Sequence, residues 1–98
     1  ALPASGAYNA WAVKTTTYTA VSKDQLICNH ASTPFTVTLP ASPSAGDTVT
    51  LKNVGAALVT VGRNSEKIDG ASADGTLPEG NAVQLVFTDD AAIGWTSL

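Results

Sequence analysis

Apolar and polar side chains alternate with a period of two through much of the chain. Phe35, Val37 and Leu39 alternate with Thr36 and Thr38, and Val49 and Leu51 alternate with Thr48, Thr50 and Lys52. A period of two places one set of side chains on a single face, so each run predicts a half-buried β-strand. Pro40 and Pro43 have no N–H to give to a ladder and end the first of these strands. Gly46 and Asp47 turn the chain, and Asn53-Val54-Gly55 closes the second strand. Val59 and Val61 against Thr60 predict another strand, and Val83, Leu85 and Phe87 the longest one. Shorter strands are predicted at 11–15, 18–21, 25–29, 67–69 and 76–78, and from Trp95 onward. No helical period persists along the chain. The pattern amounts to about eight to ten short strands with turn signals every 8–12 residues or so. It predicts an all-β fold: a small, jelly-roll-like β-sandwich of short antiparallel strands without a regular helix, one domain spanning 11–98.

Residues 1–10 are small and weakly patterned. They predict an extended arm, because Pro3 and Gly6 oppose a helix or a central strand. The arm carries no charge, unlike an ordinary solvated tail. It is expected to lie on a neighbouring protomer or a lattice beneath, with Leu2 and Tyr8 as anchors. Two strands carry apolar residues on both faces. Val86 points opposite to Val83, Leu85 and Phe87, and Ile27 opposite to Leu26. A strand apolar on both sides is usually covered on both sides. The cover is either a subunit interface at Val86 and Ile27 or the arm folded back.

Composition strengthens the case for an interface. Sixteen of the apolar residues are alanine, leaving nine Val, eight Leu, three Ile, two Phe, two Trp and two Tyr for the core. A chain of 98 residues buries only about 60–65% of its unfolded surface, so small domains commonly need a staple. A single Cys excludes an internal disulfide and a single His disfavours a zinc site. Oligomerisation is the staple that remains.

A net charge of −3, with five scattered cations, gives no support to phosphate recognition and argues against a nucleic-acid partner. No apolar run is long enough for membrane insertion, and no signal-peptide pattern is present. The unpaired Cys28 leans toward an intracellular site of assembly. The start at Ala1-Leu2 is read as a small gene product that has lost its initiator Met, the alternative being a piece of a longer fibre.

Candidate chemistry is sparse. Asp89-Asp90 has the residue types for Ca²⁺ or acid–base work, but adjacent strand residues point apart and no third ligand has a recognisable spacing. Cys28 and His30 are two apart, so a strand would place them on one side like a nucleophile and its base, yet no orienting acid accompanies them. No catalytic residue, metal site or cofactor is therefore expected. Trp11, Trp95 and Tyr18 are the candidates for stacking on a sugar, with core or interface packing as the other use of these rings.

The order of phrases then carries a resemblance. Trp-Ala-Val-Lys-Thr at 11–15 is followed by Gln-Leu-Ile-Cys-Asn at 25–29 and Phe-Thr-Val-Thr-Leu-Pro at 35–40. Gly-Asp-Thr-Val-Thr-Leu-Lys-Asn at 46–53, Lys-Ile-Asp-Gly at 67–70, Val-Gln-Leu-Val-Phe at 83–87 and Gly-Trp-Thr-Ser at 94–97 complete it. Across 11–98 the chain resembles the small β-sandwich module at the ends of tailed-phage tail fibres and tailspikes. The resemblance implies a homotrimer with a non-enzymatic role in trimerisation, virion attachment or host-glycan binding. A chain without a preceding fibre or β-helix is expected to be a capsid decoration (cement) protein, with a fibre-tip domain as the alternative. The implied partners are its own copies, a major capsid protein or fibre, and in the alternative a host surface glycan. The implied location is the virion surface after assembly in the host cytoplasm.

Overall fold

The computed structural model describes residues 8–98. Nine strands form: β1 Trp11–Lys14, β2 Tyr18–Thr19, β3 Asp24–Cys28, β4 Phe35–Thr38, β5 Thr48–Asn53, β6 Val59–Gly62, β7 Gly75–Leu77, β8 Ala82–Phe87 and β9 Trp95–Ser97. No helix occurs among the described residues. The all-β expectation holds, and the strands foreseen from alternation at β4, β5, β6 and β8 bury the apolar set that the period singled out.

The sheets differ from an antiparallel jelly roll. One sheet has the order β1-β3-β5-β8-β9 and the other β2-β4-β6-β7. From β1 to β6 the chain alternates between them, and each strand pairs in parallel with the strand two before it. The first six strands are thus a parallel coil, each turn contributing one strand to each sheet. Trp11 pairs with Gln25 and Gln25 with Thr50; Phe35 pairs with Val59. The last three strands reverse direction: β7 runs antiparallel to β6, β8 to β5, and β9 to β8. Alternation reports which face is buried and says nothing about the direction of the neighbour. The polar segments read as hairpin turns instead carry the chain across to the other sheet. Lys23 and Ser42, both in the left-handed region with φ of 72° and 48°, sit in two of these crossings.

The inner faces share one core. Leu26, Leu51 and Val83 form a row across three strands, and Val49 stands beside Leu85. Opposite them lie Phe35, Val59 and Leu77 in one row and Val37 beside Val61 in another. All these side chains are buried except Val83, which is partly buried against the same cluster. Trp95 is fully enclosed and tilts against Phe87, ring centroids 5.3 Å apart at 58°. Its indole N–H has no acceptor.

One polar residue is built into this core. Asn53 is fully buried; its Nδ2 donates to the carbonyls of Ala57 and Leu77 at 2.9 and 2.8 Å, and its Oδ1 accepts the Gly55 N–H at 3.0 Å. The amide ties the turn after β5 to β7 and leaves no hydrogen-bonding group of its own unpaired. Gly55 is required in that turn, because a Cβ there would lie 2.4 Å from the backbone nitrogen of His30.

Candidate binding face

The five-stranded sheet turns one face away from the core, and register fixes what that face carries. Trp11, Gln25, Thr50 and Gln84 form one row across it, and Val13, Ile27, Lys52 and Ala82 the next. Thr48, Val86 and Thr96 form a third. Strand β1 is inverted in polarity. Its large apolar residues Trp11 and Val13 point outward, 53% and 63% exposed, while Ala12 and Lys14 point inward. Pairing with β3 imposes this arrangement: Ala12 must share a side with the buried Leu26, and Lys14 with the buried Cys28.

The inward Lys14 is accommodated by an aromatic partner. Its ammonium lies 3.8 Å from the centroid of the Tyr18 ring, a cation–π contact. The Tyr18 hydroxyl donates to Asp24, which also accepts from the Val21 N–H at 2.9 Å and from Asn9 Nδ2 at 3.0 Å. Burial raises the pKa of Tyr18, and the charge and hydrogen bond of Asp24 raise it further. Asp24 is itself buried and engaged by these three donors. The group closes the first turn of the coil, and its members are engaged in structure.

The predicted interface residues separate. Ile27 lies beside Val13 and close to Trp11, at the β1 corner of the face. Val86 is three strands away from β1, half-buried between Thr48 and Thr96. Tyr8 lies over the same sheet, its hydroxyl accepting from Gln84 Nε2 at 3.2 Å. Next to it, the Asn9 N–H donates to the Lys23 carbonyl and the Asn9 carbonyl accepts from Gln25. Residues 8 and 9 are therefore held on their own sheet. Leu2 lies outside the described residues.

Of the three sugar-stacking candidates, Trp95 is corrected. Its ring is enclosed in the core, because β9 pairs with β8 and sets Trp95 beside Phe87, so it offers no face to a ligand. Tyr18 is half-buried under Lys14 and belongs to the other sheet. Trp11 alone presents an open ring, and it shares no platform with the other two.

The nucleophile-and-base pair does not assemble into a reactive site. Cys28 is buried, and burial pushes its thiol up to about 11, so the thiolate is scarce at neutral pH. His30 Nδ1 accepts the N–H groups of Ser32 and Thr33 at 3.2 and 2.9 Å and holds its loop. Asp90 caps its own turn by accepting the Ala92 N–H at 2.7 Å. Asp89 and Asp90 line a shallow acidic recess with Glu66, but no group of three or more potential ligands able to hold a metal occurs among the described residues.

A second recess of about 190 Å³ opens between β6–β7 and β8–β9, walled by Val61, Ile68, Leu77, Val83 and Leu85. Asp69 stands at its rim. Its carboxylate accepts from the Ser97 N–H at 2.9 Å, the Ser97 hydroxyl at 2.5 Å and the Thr96 hydroxyl at 3.2 Å. The hydroxyl and N–H bonds from Ser97 hold its pKa below the ordinary carboxylate value against an opposing contribution from burial, and the Thr96 bond adds a lesser lowering. Sequence patterning assigns no functional role to Asp69, Val13, Lys14, Asp24 or Asn53. For Val13 and Lys14 a signal existed: the apolar and charged positions of 11–14 fall on the wrong sides if Ala12 packs inward.

No known protein family and no curated protein matches this chain.

Proposed function

We propose that the protein is a non-enzymatic structural component of a tailed-phage virion, a homotrimer on the particle surface acting as a capsid decoration protein. The observation that carries the assembly role is the outward face of the five-stranded sheet. Among its strand positions only Lys52 is charged, and that ammonium is bonded to the Gly80 carbonyl at 2.8 Å. The rest of the face mixes threonines and glutamines with Trp11, Val13, Ile27 and Val86, and the exposed Trp11 and Val13 gather with Ile27 at its β1 end, an apolar patch that a small domain gains by covering. Three of the side chains weighed for chemistry are already committed: Cys28 to the core, His30 to its loop and Asp90 to its own turn. The phage assignment rests on the order of sequence phrases from Trp11 to Ser97. Its partners are its own copies and the major capsid protein, and its place is the virion surface after assembly in the host cytoplasm.

The second reading is a tail-fibre or tailspike terminal domain that trimerises and holds a host glycan. The open Trp11 ring favours it, since a sugar ring stacks on such a face. Light scattering at micromolar concentration tests the assembly role: about three times the 9.9 kDa chain mass is expected, and the monomer mass would overturn it. Binding to purified particles separates the readings. Decoration requires saturable binding to capsids lacking the protein. The fibre reading requires retention on host-surface polysaccharide that Trp11→Ala abolishes.

A further inference from the structure

The inverted strand β1 points to where the copies meet. A lone domain gains most by turning Trp11 and Val13 inward and Lys14 outward. This fold does the opposite on a strand at the edge of its sheet, where the outer backbone is unpaired among the described elements. Ile27 continues the apolar surface onto β3, beside Val13. We infer that the corner formed by Trp11, Val13 and Ile27 is the contact between neighbouring copies of this chain, with Trp11 as its anchor. The inference rests on the assembly reading above and specifies its site, which keeps Ile27 and leaves Val86, on the same face but three strands from β1, outside it.

Charge selects a second copy as the occupant. All eight carboxylates of the chain are described, and none stands at an outward position of the five strands. Asp24 points inward, and Asp47, Glu66, Asp69, Asp74, Glu79, Asp89 and Asp90 lie in turns and connections. Copies that each carry a net charge of −3 meet with least repulsion across a surface without carboxylates, where the one charge, Lys52 beside Ile27, is positive and bonded to the Gly80 carbonyl. A nucleic acid would need cations at this corner, and a basic protein would need carboxylates. Trp is also the residue type most often found to anchor protein contacts when seated centrally.

The two tryptophans provide the test, because Trp95 is fully buried and Trp11 is half-open in the single chain. Acrylamide quenching of wild-type fluorescence is measured at a concentration where light scattering gives the oligomer, with Trp11→Phe assigning the Trp95 contribution. Val13→Asp supplies the comparison; Val13 is exposed on an edge strand, and circular dichroism checks that the variant keeps its β-structure. The inference expects Val13→Asp to run at the monomer mass with its Trp11 emission readily quenched. It expects the wild-type oligomer to be quenched no more than Trp11→Phe. An oligomer whose Trp11 stays quenchable, or a folded Val13→Asp that still assembles, would overturn this corner and leave the assembly reading standing. A wild-type monomer would overturn both.

Discussion

The two ends of the molecule close the same core with different materials. At the first turn the closure is polar and partly open: Lys14 over Tyr18, Tyr18 on Asp24, and Asp24 on the backbone of Val21. At the far end it is packing. Trp95 is sealed against Phe87, and Gly94 passes directly beneath Lys67, whose carbonyl oxygen would lie 2.1 Å from any added Cβ. A hydrogen-bonded lid with solvent on one side can rearrange when altered. A close-packed end cannot, because interiors have no room to absorb a displaced atom. The far end is therefore expected to be brittle and the first turn tolerant.

The sharpest break of this comparison is Gly94→Ala. The clash is with backbone, and φ is +71°, so a loss of roughly 3–5 kcal/mol or failure to fold is expected. Gly46→Ala is the control. Its φ is +87° with nothing within 4 Å of the new Cβ, so only the left-handed penalty of about 1–2 kcal/mol applies. Equal losses in urea melts would mean that conformation, and not the contact with Lys67, governs Gly94. Trp95→Ala comes next, at roughly 3–5 kcal/mol from lost burial and the cavity left behind.

Substitutions at the first turn should cost less. Asp24→Ala strips three donors of their acceptor, and about 1–3 kcal/mol is expected. Lys14→Ala removes only the cation–π contact, at about 0.5–1 kcal/mol. A loss from Lys14→Ala matching that of Trp95→Ala would show that the lid is as rigid as the packed end.

The smallest effects are those of pH, and the two ends oppose each other in sign. Asp69 is held below its ordinary pKa by Ser97. Its contribution is present at and above the ordinary carboxylate value and is lost as pH falls through the lowered one. Tyr18 is raised by burial and by Asp24, and Cys28 is raised by burial to about 11. Their contributions are present below the ordinary values and are lost as pH rises through the raised ones. Asp69→Asn should flatten the acid limb of a stability–pH profile, and Tyr18→Phe should flatten the alkaline limb. Exchanged effects would assign the limbs to the wrong ends.

These contrasts show what the sequence made legible. Strand positions and the buried face of β4, β5, β6 and β8 could be read, because a period of two has one physical meaning in a half-buried strand. Strand direction could not, since a polar crossing to the other sheet and a polar hairpin turn are written with the same Gly, Ser, Asp and Lys residues. The coil also hides its own repeat: 14 residues separate Trp11 from its partner Gln25, and 25 separate Gln25 from Thr50. Asn53 read as the end of a strand, because an Asn satisfied by the carbonyls of Ala57 and Leu77 looks in sequence like an Asn satisfied by water. Trp95 carries two readings in sequence, sugar stacking or packing, and its pairing with Phe87 decides for the core. The Ile27 and Val86 expectations came from strands with apolar residues on both sides. Both stand on the outward face of the five-stranded sheet, Ile27 beside Val13 and Val86 between two threonines.

The pairing distances also set an order of events for the chain as it folds. Phe87 and Trp95 are joined by a short turn, whereas each parallel pair of the coil must close a loop of 14 to 25 residues before any contact forms. Loop closure of that kind is slow, and local hairpins form first. The early nucleus is then the β8–β9 hairpin, which the ribosome makes after every strand of the coil. The coil strands emerge first, but each finds its coil partner only by closing one of these long loops, so their pairing is slow. Strand pairing that slow leaves unpaired coil strands exposed to aggregation until it is complete.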